Sequence, residues 1–158
     1  MSHHLAQVNI ATLRAPLDHP SIHGFTSRLE EINALADTSP GFVWRLQTEA
    51  GDATSLRPYD DDRVIVNMSV WESAQALKDF VYRSHHVQLI KQKAQWFHRP
   101  TLPVYALWWI PAGTLPTVEE AKQRLEGLQT DGDSPWAFSF ARLFEPSEAI
   151  QVHPTHAA

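Results

Sequence analysis

Hydrophobic and polar positions along the chain fall into two rhythms, one of period two and one of period three to four. Residues 5–13 alternate imperfectly and read as a first strand, with Gln7 and Asn9 on one face. Residues 21–36 place Ile22, Phe25, Leu29, Ile32, Leu35 and Ala36 at helical spacing, with Ser21 as the candidate N-cap. Pro40-Gly41 ends that helix, and residues 42–47 form a second strand with Arg45 and Gln47 on one face. Residues 63–71 are rich in β-branched side chains and form the clearest strand, on which Asn67, Ser69 and Trp71 share a face.

A long helix is expected from Ser73 to about Phe97, then a fourth strand over residues 101–112 with Trp108 and Trp109 on opposite faces. Residues 117–128 are a short amphipathic helix: Thr117 caps it, and Glu119 and Glu120 suit the positive end of its dipole. Asp131-Gly132-Asp133 makes a turn. Residues 136–144 are a last strand with Trp136, Phe138, Phe140 and Phe144 on one face, and residues 146–158 a frayed tail. Residues 48–62 are a polar loop; three adjacent carboxylates at Asp60-Asp61-Asp62 diverge and suit solvent better than one cation.

The order is β-α-β-β-α-β-α-β, an α+β chain forming a single domain over residues 1–158. Its first six elements are the ferredoxin-like βαββαβ core, extended by an extra helix and strand. Such a sheet carries helices on one face, and the other face is too aromatic here to leave in water. A second copy of the sheet is the economical cover, so a homodimer forming a dimeric α/β barrel is expected.

Composition narrows the partners. A net charge of −5 with no basic stripe argues against nucleic acid. There is no Cys, which excludes disulfides, thiolate metal sites and a Cys nucleophile. No run approaches the ~20 apolar residues that cross a bilayer, and the Met-Ser-His-His-Leu start lacks the apolar core of a signal peptide. The expected location is cytoplasmic, without membrane contact.

The long helix carries the leading site candidates. Its apolar stripe runs through Leu77, Phe80, Val81 and Ser84, then shifts by about a quarter-turn to Val87, Ile90, Ala94 and Phe97. A kink near residues 84–86 reconciles the two halves. Arg83 and His86 share the second face with Ile90 and Phe97, and burying such groups unpaired is expensive. Either they hold a ligand, or His86 is hydrogen-bonded in the core while Arg83 reaches solvent. The amides on the strands are either one wall of a pocket or a structural network. His85-His86 are adjacent rather than spaced i and i+4, so a two-His helical metal site is not supported.

Four segments carry a resemblance: Pro40 to Leu46, Val66 to Ser73, Phe80 to His86 and Trp108 to Gly113. They resemble the bacterial family catalogued as DUF3291, within the dimeric α/β barrel (antibiotic biosynthesis monooxygenase-like) superfamily. The resemblance implies that fold and carries over no catalytic residues. The wider superfamily holds cofactor-independent monooxygenases, haem-degrading monooxygenases and other haem enzymes, isomerases and sensors. Against the haem-degrading branch, Asn9 matches its strand-1 Asn and Val70-Trp71 its strand end. That branch's helical Trp falls at Phe80 and its haem-ligating His at Ile90, with His86 one turn early.

Three readings stand. In the first, a small enzyme, monooxygenase- or isomerase-like, acts without cofactor or metal on an apolar or aromatic substrate. His86 is its acid/base and Arg83 or Asn67 stabilises an oxyanion, while Asn9, Trp71, Phe80, Ile90, Phe97 and Trp109 contact substrate. In the second, His86 is the axial ligand of a haem. In the third, the chain binds a small molecule without transforming it.

Overall fold

The structure, a computed structural model, describes residues 2–16, 19–47, 63–85 and 96–150. Four strands form one sheet: β1 (His3–Thr12), β2 (Phe42–Arg45), β3 (Val64–Trp71) and β4 (Tyr105–Pro111). Their spatial order is β2-β3-β1-β4, and every neighbouring pair is antiparallel. This is the ferredoxin-like order expected from the sequence. The helices whose full range is described are α1 (His23–Asp37), α2 (Ala74–His85), α3 (Val118–Asp131) and a short α4 (Pro146–Ile150).

Period two decides what each strand row meets. One row holds Ala6 and Val8 of β1, Val66, Met68 and Val70 of β3, and Ala106, Trp108 and Ile110 of β4, all buried in one cluster. The helical residues of that cluster are Ala121, Leu125 and Leu128 of α3. They stand at i, i+4 and i+7, the stripe an amphipathic helix buries. Thr117 caps α3 as its sequence predicts, its hydroxyl accepting the Glu120 N–H at 3.1 Å. The chain's own α3 packs on this face.

The other row faces α1 and α2. Here Leu5, Trp71 and Leu107 pack with Ala36 of α1 and Leu77 of α2. Gly41 lets α2 approach the sheet: its φ is 82°, and a Cβ there would lie 2.5 Å from the Ala76 Cβ.

Two expected elements differ, the first helix's cap and the last strand. Ser21 does not cap α1. A 3-10 turn, Pro20–Ile22, comes first, and the His19 ring accepts the Ser21 N–H at 3.1 Å. Pro20 suits that first position because it has no N–H to satisfy.

Of the long helix expected from Ser73 to about Phe97, Ala74–His85 forms α2 and Trp96 is helical, the residues between lying outside the described ones; Phe97 itself pairs with Leu13 in a bridge. Around it the Arg14 N–H donates to the Trp96 carbonyl and the His98 N–H to the Thr12 carbonyl, each at 2.8 Å. The expected kink at 84–86 falls at the edge of the described residues, and the expected polar loop at 48–62 lies outside them.

The last strand shrinks to one bridge, Leu107 with Phe138. Beyond it, side chains take the N–H groups a neighbouring strand would have taken. Asp133 accepts from the Ser139 N–H at 2.7 Å, and the Tyr105 hydroxyl from the Phe140 N–H at 3.1 Å. Trp136 and Phe138 consequently sit in different clusters rather than on one face.

Among the described residues no helix is long and apolar enough to cross a membrane.

Candidate functional site

On the face beneath α1 and α2, the apolar packing is interrupted. One cluster gathers Leu5, Trp71, Leu77 and Leu107, with Phe80, Tyr105 and Trp109 against it. A second gathers Leu13, Ile22, Phe25, Trp96 and Phe97, with Ala11, Leu29 and Ile65 against it. Between them the central strands β1 and β3 place four polar residues. Gln7 stands across from Ser69, and Asn9 across from Asn67. Tyr105 stands on the other side of Asn9.

These four differ in burial. Gln7 and Ser69 are buried, at 9% and 6% exposure, whereas Asn9 and Asn67 are exposed. Exposed carboxamides at the middle of a sheet, on the two central strands and on a helix-packed face, are not what a core needs. The buried pair is satisfied: Gln7 Nε2 donates to Asn67 Oδ1 and to Ser69 Oγ, both at 2.7 Å. Trp71 Nε1 donates to the same Ser69 Oγ at 2.8 Å. Asn9 has no side-chain hydrogen bond among the described residues.

Helix α1 runs over both clusters, with Phe25 and Leu29 in one and Ala36 in the other. Asn33 lies between them on the same helical face, i+4 from Leu29, and is 9% exposed. Sequence reasoning missed Asn33, because one polar residue in an apolar stripe reads as the edge of the stripe. Its place at i+4 from Leu29 and i−3 from Ala36, inside the stripe rather than at its edge, is the signal that would have found it.

The expected site residues divide into groups. Asn9 and Asn67 come together at the floor of the gap. Trp71 is fully buried and Phe80 stacks on it, with ring centroids 5.0 Å apart at 26°, so the pair forms one wall. Trp109 joins that wall, and its Nε1 donates to the Phe144 carbonyl at 2.7 Å. Phe97 lies in the opposite wall, edge-on to Phe25 at 5.1 Å.

Arg83 is exposed, and its Nε donates to the Asp79 carbonyl of its own helix at 3.4 Å. His86 and Ile90 lie outside the described residues, so the expected acid/base and the haem alternative that shares it lie there too. Arg45 is occupied elsewhere, in a two-point ion pair with Asp37 at 2.7 and 3.3 Å.

No group that titrates near neutral pH lines the described floor. Burial lowers the pKa of Arg124, opposed by the charge of Glu120. That guanidinium belongs to α3 on the far face, 4.5 Å from the Trp136 ring centroid. Among the described residues no group of three or more His, Asp or Glu is placed to hold a metal ion. Chemically, the gap offers amide and hydroxyl hydrogen bonds between aromatic walls, an arrangement suited to a flat, mostly apolar molecule with one or two polar oxygens.

Residues 4–154 match the model of a family described as a domain of unknown function, DUF3291. No curated protein matches the chain. Among solved structures it is similar to SnoaB, a cofactor-independent oxygenase from Streptomyces nogalater. The identity is 20%, covering 73% of this chain and 100% of that one, with a TM-score of 0.49. It is also similar to a protein of unknown function from Nitrosomonas europaea, at 13% identity, 73% and 96% coverage and a TM-score of 0.48. A protein from Pseudomonas aeruginosa matches at 13% identity, 72% and 98% coverage and a TM-score of 0.47.

Proposed function

The chain belongs to the DUF3291 family, and we propose that it is a small-molecule enzyme whose apolar or aromatic substrate lies in the gap between the two clusters. The observation that carries this reading is the exposed Asn9 and Asn67 pair, side by side on the central strands between aromatic walls. Asn67 stabilises negative charge that develops on a substrate oxygen, the role a preorganised amide donor serves in a site sheltered from water. Asn9 holds a second oxygen or the same one. His86, which follows directly on the last residue of α2, is the proton acceptor.

Removing a proton beside a carbonyl or from a phenol gives an enolate or phenolate. That electron-rich anion either takes a proton at another carbon, an isomerisation, or reacts with dioxygen, a monooxygenase-like outcome. Neither route calls for a cofactor. One chain supplies the described floor and both walls, so the reading needs no second copy.

The test is turnover of a panel of polycyclic phenols and β-diketones, followed by oxygen uptake and by product analysis. Asn67→Ala should lower kcat by about 10²-fold or more, as loss of an oxyanion donor does elsewhere, while the far-ultraviolet circular dichroism stays unchanged. His86→Ala should abolish turnover with the same unchanged fold. Full activity in either variant removes that residue from the mechanism. Binding without turnover across the panel replaces the enzyme with a ligand-binding module.

A further inference from the structure

The floor of the gap is not indifferent to the kind of oxygen or nitrogen it meets. A carboxamide can offer either its carbonyl or its NH2, and which one Asn67 offers depends on what holds its other end. In the structure Asn67 Oδ1 is held from behind: it accepts from Gln7 Nε2 at 2.7 Å. The Asn67 NH2 is the end left for a ligand.

Gln7 is itself fixed. Both of its amide hydrogens are used, one by Asn67 and one by Ser69 Oγ. Turning Gln7 over would take acceptors away from two N–H groups on a residue that is 9% exposed. Losing partners for buried donors is the more expensive error, at about 1–3 kcal/mol for each group. Ser69 is anchored in turn by the indole of Trp71, which can only donate, at 2.8 Å. Trp71 is locked between Phe42 and Phe80, with ring centroids 5.5 and 5.0 Å away.

We infer that Gln7 is a positioning residue that sets the polarity of the site. Through the chain Trp71–Ser69–Gln7 it makes Asn67 a hydrogen-bond donor, so that the site selects ligands presenting an accepting oxygen (carbonyl, enolate or phenolate) over ligands of the same shape that present an N–H. The inference rests on the small-molecule reading of the gap and adds the class of ligand group it accepts.

Two measurements decide it. The first needs no ligand: solvent exchange of side-chain NH2 protons by NMR on the wild-type protein. The Gln7 NH2 should exchange at least tenfold more slowly than the Asn67 NH2. Equal rates or the reverse order overturn the inference.

The second uses two tricyclic probes of matched shape, fluorenone, which only accepts, and carbazole, whose polar group only donates. The wild-type protein should bind fluorenone roughly tenfold more tightly, the effect of leaving one buried polar group unpaired. Gln7→Glu supplies only acceptors when ionised, so it should turn the Asn67 carbonyl toward the ligand and reverse the preference. Gln7→Met should leave the two probes within about twofold of each other.

A fluorenone preference that survives Gln7→Glu in a folded variant overturns the inference while sparing the small-molecule reading. If neither probe binds the wild-type protein, the reading of the gap loses its support, and the exchange rates still decide the orientation of Gln7.

Discussion

Along β1, Ala6 and Val8 point toward α3, while Leu5, Gln7 and Asn9 point toward α1 and α2. The same division holds on β3, with Val66, Met68 and Val70 on one side and Asn67, Ser69 and Trp71 on the other. The far face is apolar along the middle of these central strands, from Ala6 to Ile10 on β1 and from Val64 to Val70 on β3. The near face is apolar only at its ends. Both carry helices, yet the near face leaves Asn9 and Asn67 exposed. A face built only for stability would carry the apolar pattern twice. Local departures from that pattern concentrate at functional positions.

The comparison predicts unequal responses to substitution. Trp108→Ala, on the far face, removes a side chain that is 0% exposed and packs with Ala121 and Leu125. It should lower unfolding free energy by about 3–5 kcal/mol in a denaturant titration. A loss below ~1 kcal/mol would mean that α3 is not the cover of that face.

Gly41→Ala acts on the near face. It combines a positive φ with a methyl 2.5 Å from the Ala76 Cβ. Left-handed backbone costs an ordinary residue about 1–2 kcal/mol, and overpacking about 1–3 more. A loss of ~2–4 kcal/mol is expected, with the Trp71–Phe80 stack disturbed, visible as a change in near-ultraviolet circular dichroism.

Much of this two-faced sheet is legible in the sequence. Gln7 with Asn9, and Asn67 with Ser69 and Trp71, share faces by strict period two, and the structure joins the two sets through the β1–β3 register. Periodicity does not say which row meets α1 and α2, because both rows are apolar at their ends. Nor does it show that the helix after β4 turns back over the sheet. That follows from the Ala121, Leu125 and Leu128 stripe only once the sheet exists to receive it. The stretch 136–144 alternates well enough for a strand, yet Asp133, Ser134 and Tyr105 take its N–H groups. Alternation registers side-chain rows and is blind to such competition. Asn33 was hidden for a related reason, since a helical stripe is judged by its apolar members.

Ser69→Ala tests the join between stability and site. It leaves the Trp71 indole and one Gln7 hydrogen without their acceptor, both buried. The expected loss is about 1–3 kcal/mol, with faster exchange of the Gln7 NH2. A stability loss without faster exchange would place Ser69 under Trp71 alone.

Asn9→Ala should give the smallest change in stability and the sharpest contrast with the far face. Asn9 is exposed, and its side chain has no hydrogen bond among the described residues. Its backbone still pairs within the β1–β3 and β1–β4 ladders, which the substitution leaves alone. Surface changes of this kind stay within about 0.5 kcal/mol. If Asn9 is there for a ligand, the fold should be untouched while fluorenone affinity or turnover drops, because a donor in a partly enclosed site is worth more to a bound oxygen than to water. If instead Asn9→Ala lowers stability by more than ~1 kcal/mol and leaves binding unchanged, the amides at the centre of the near face are structural, and the two faces differ in composition without differing in purpose.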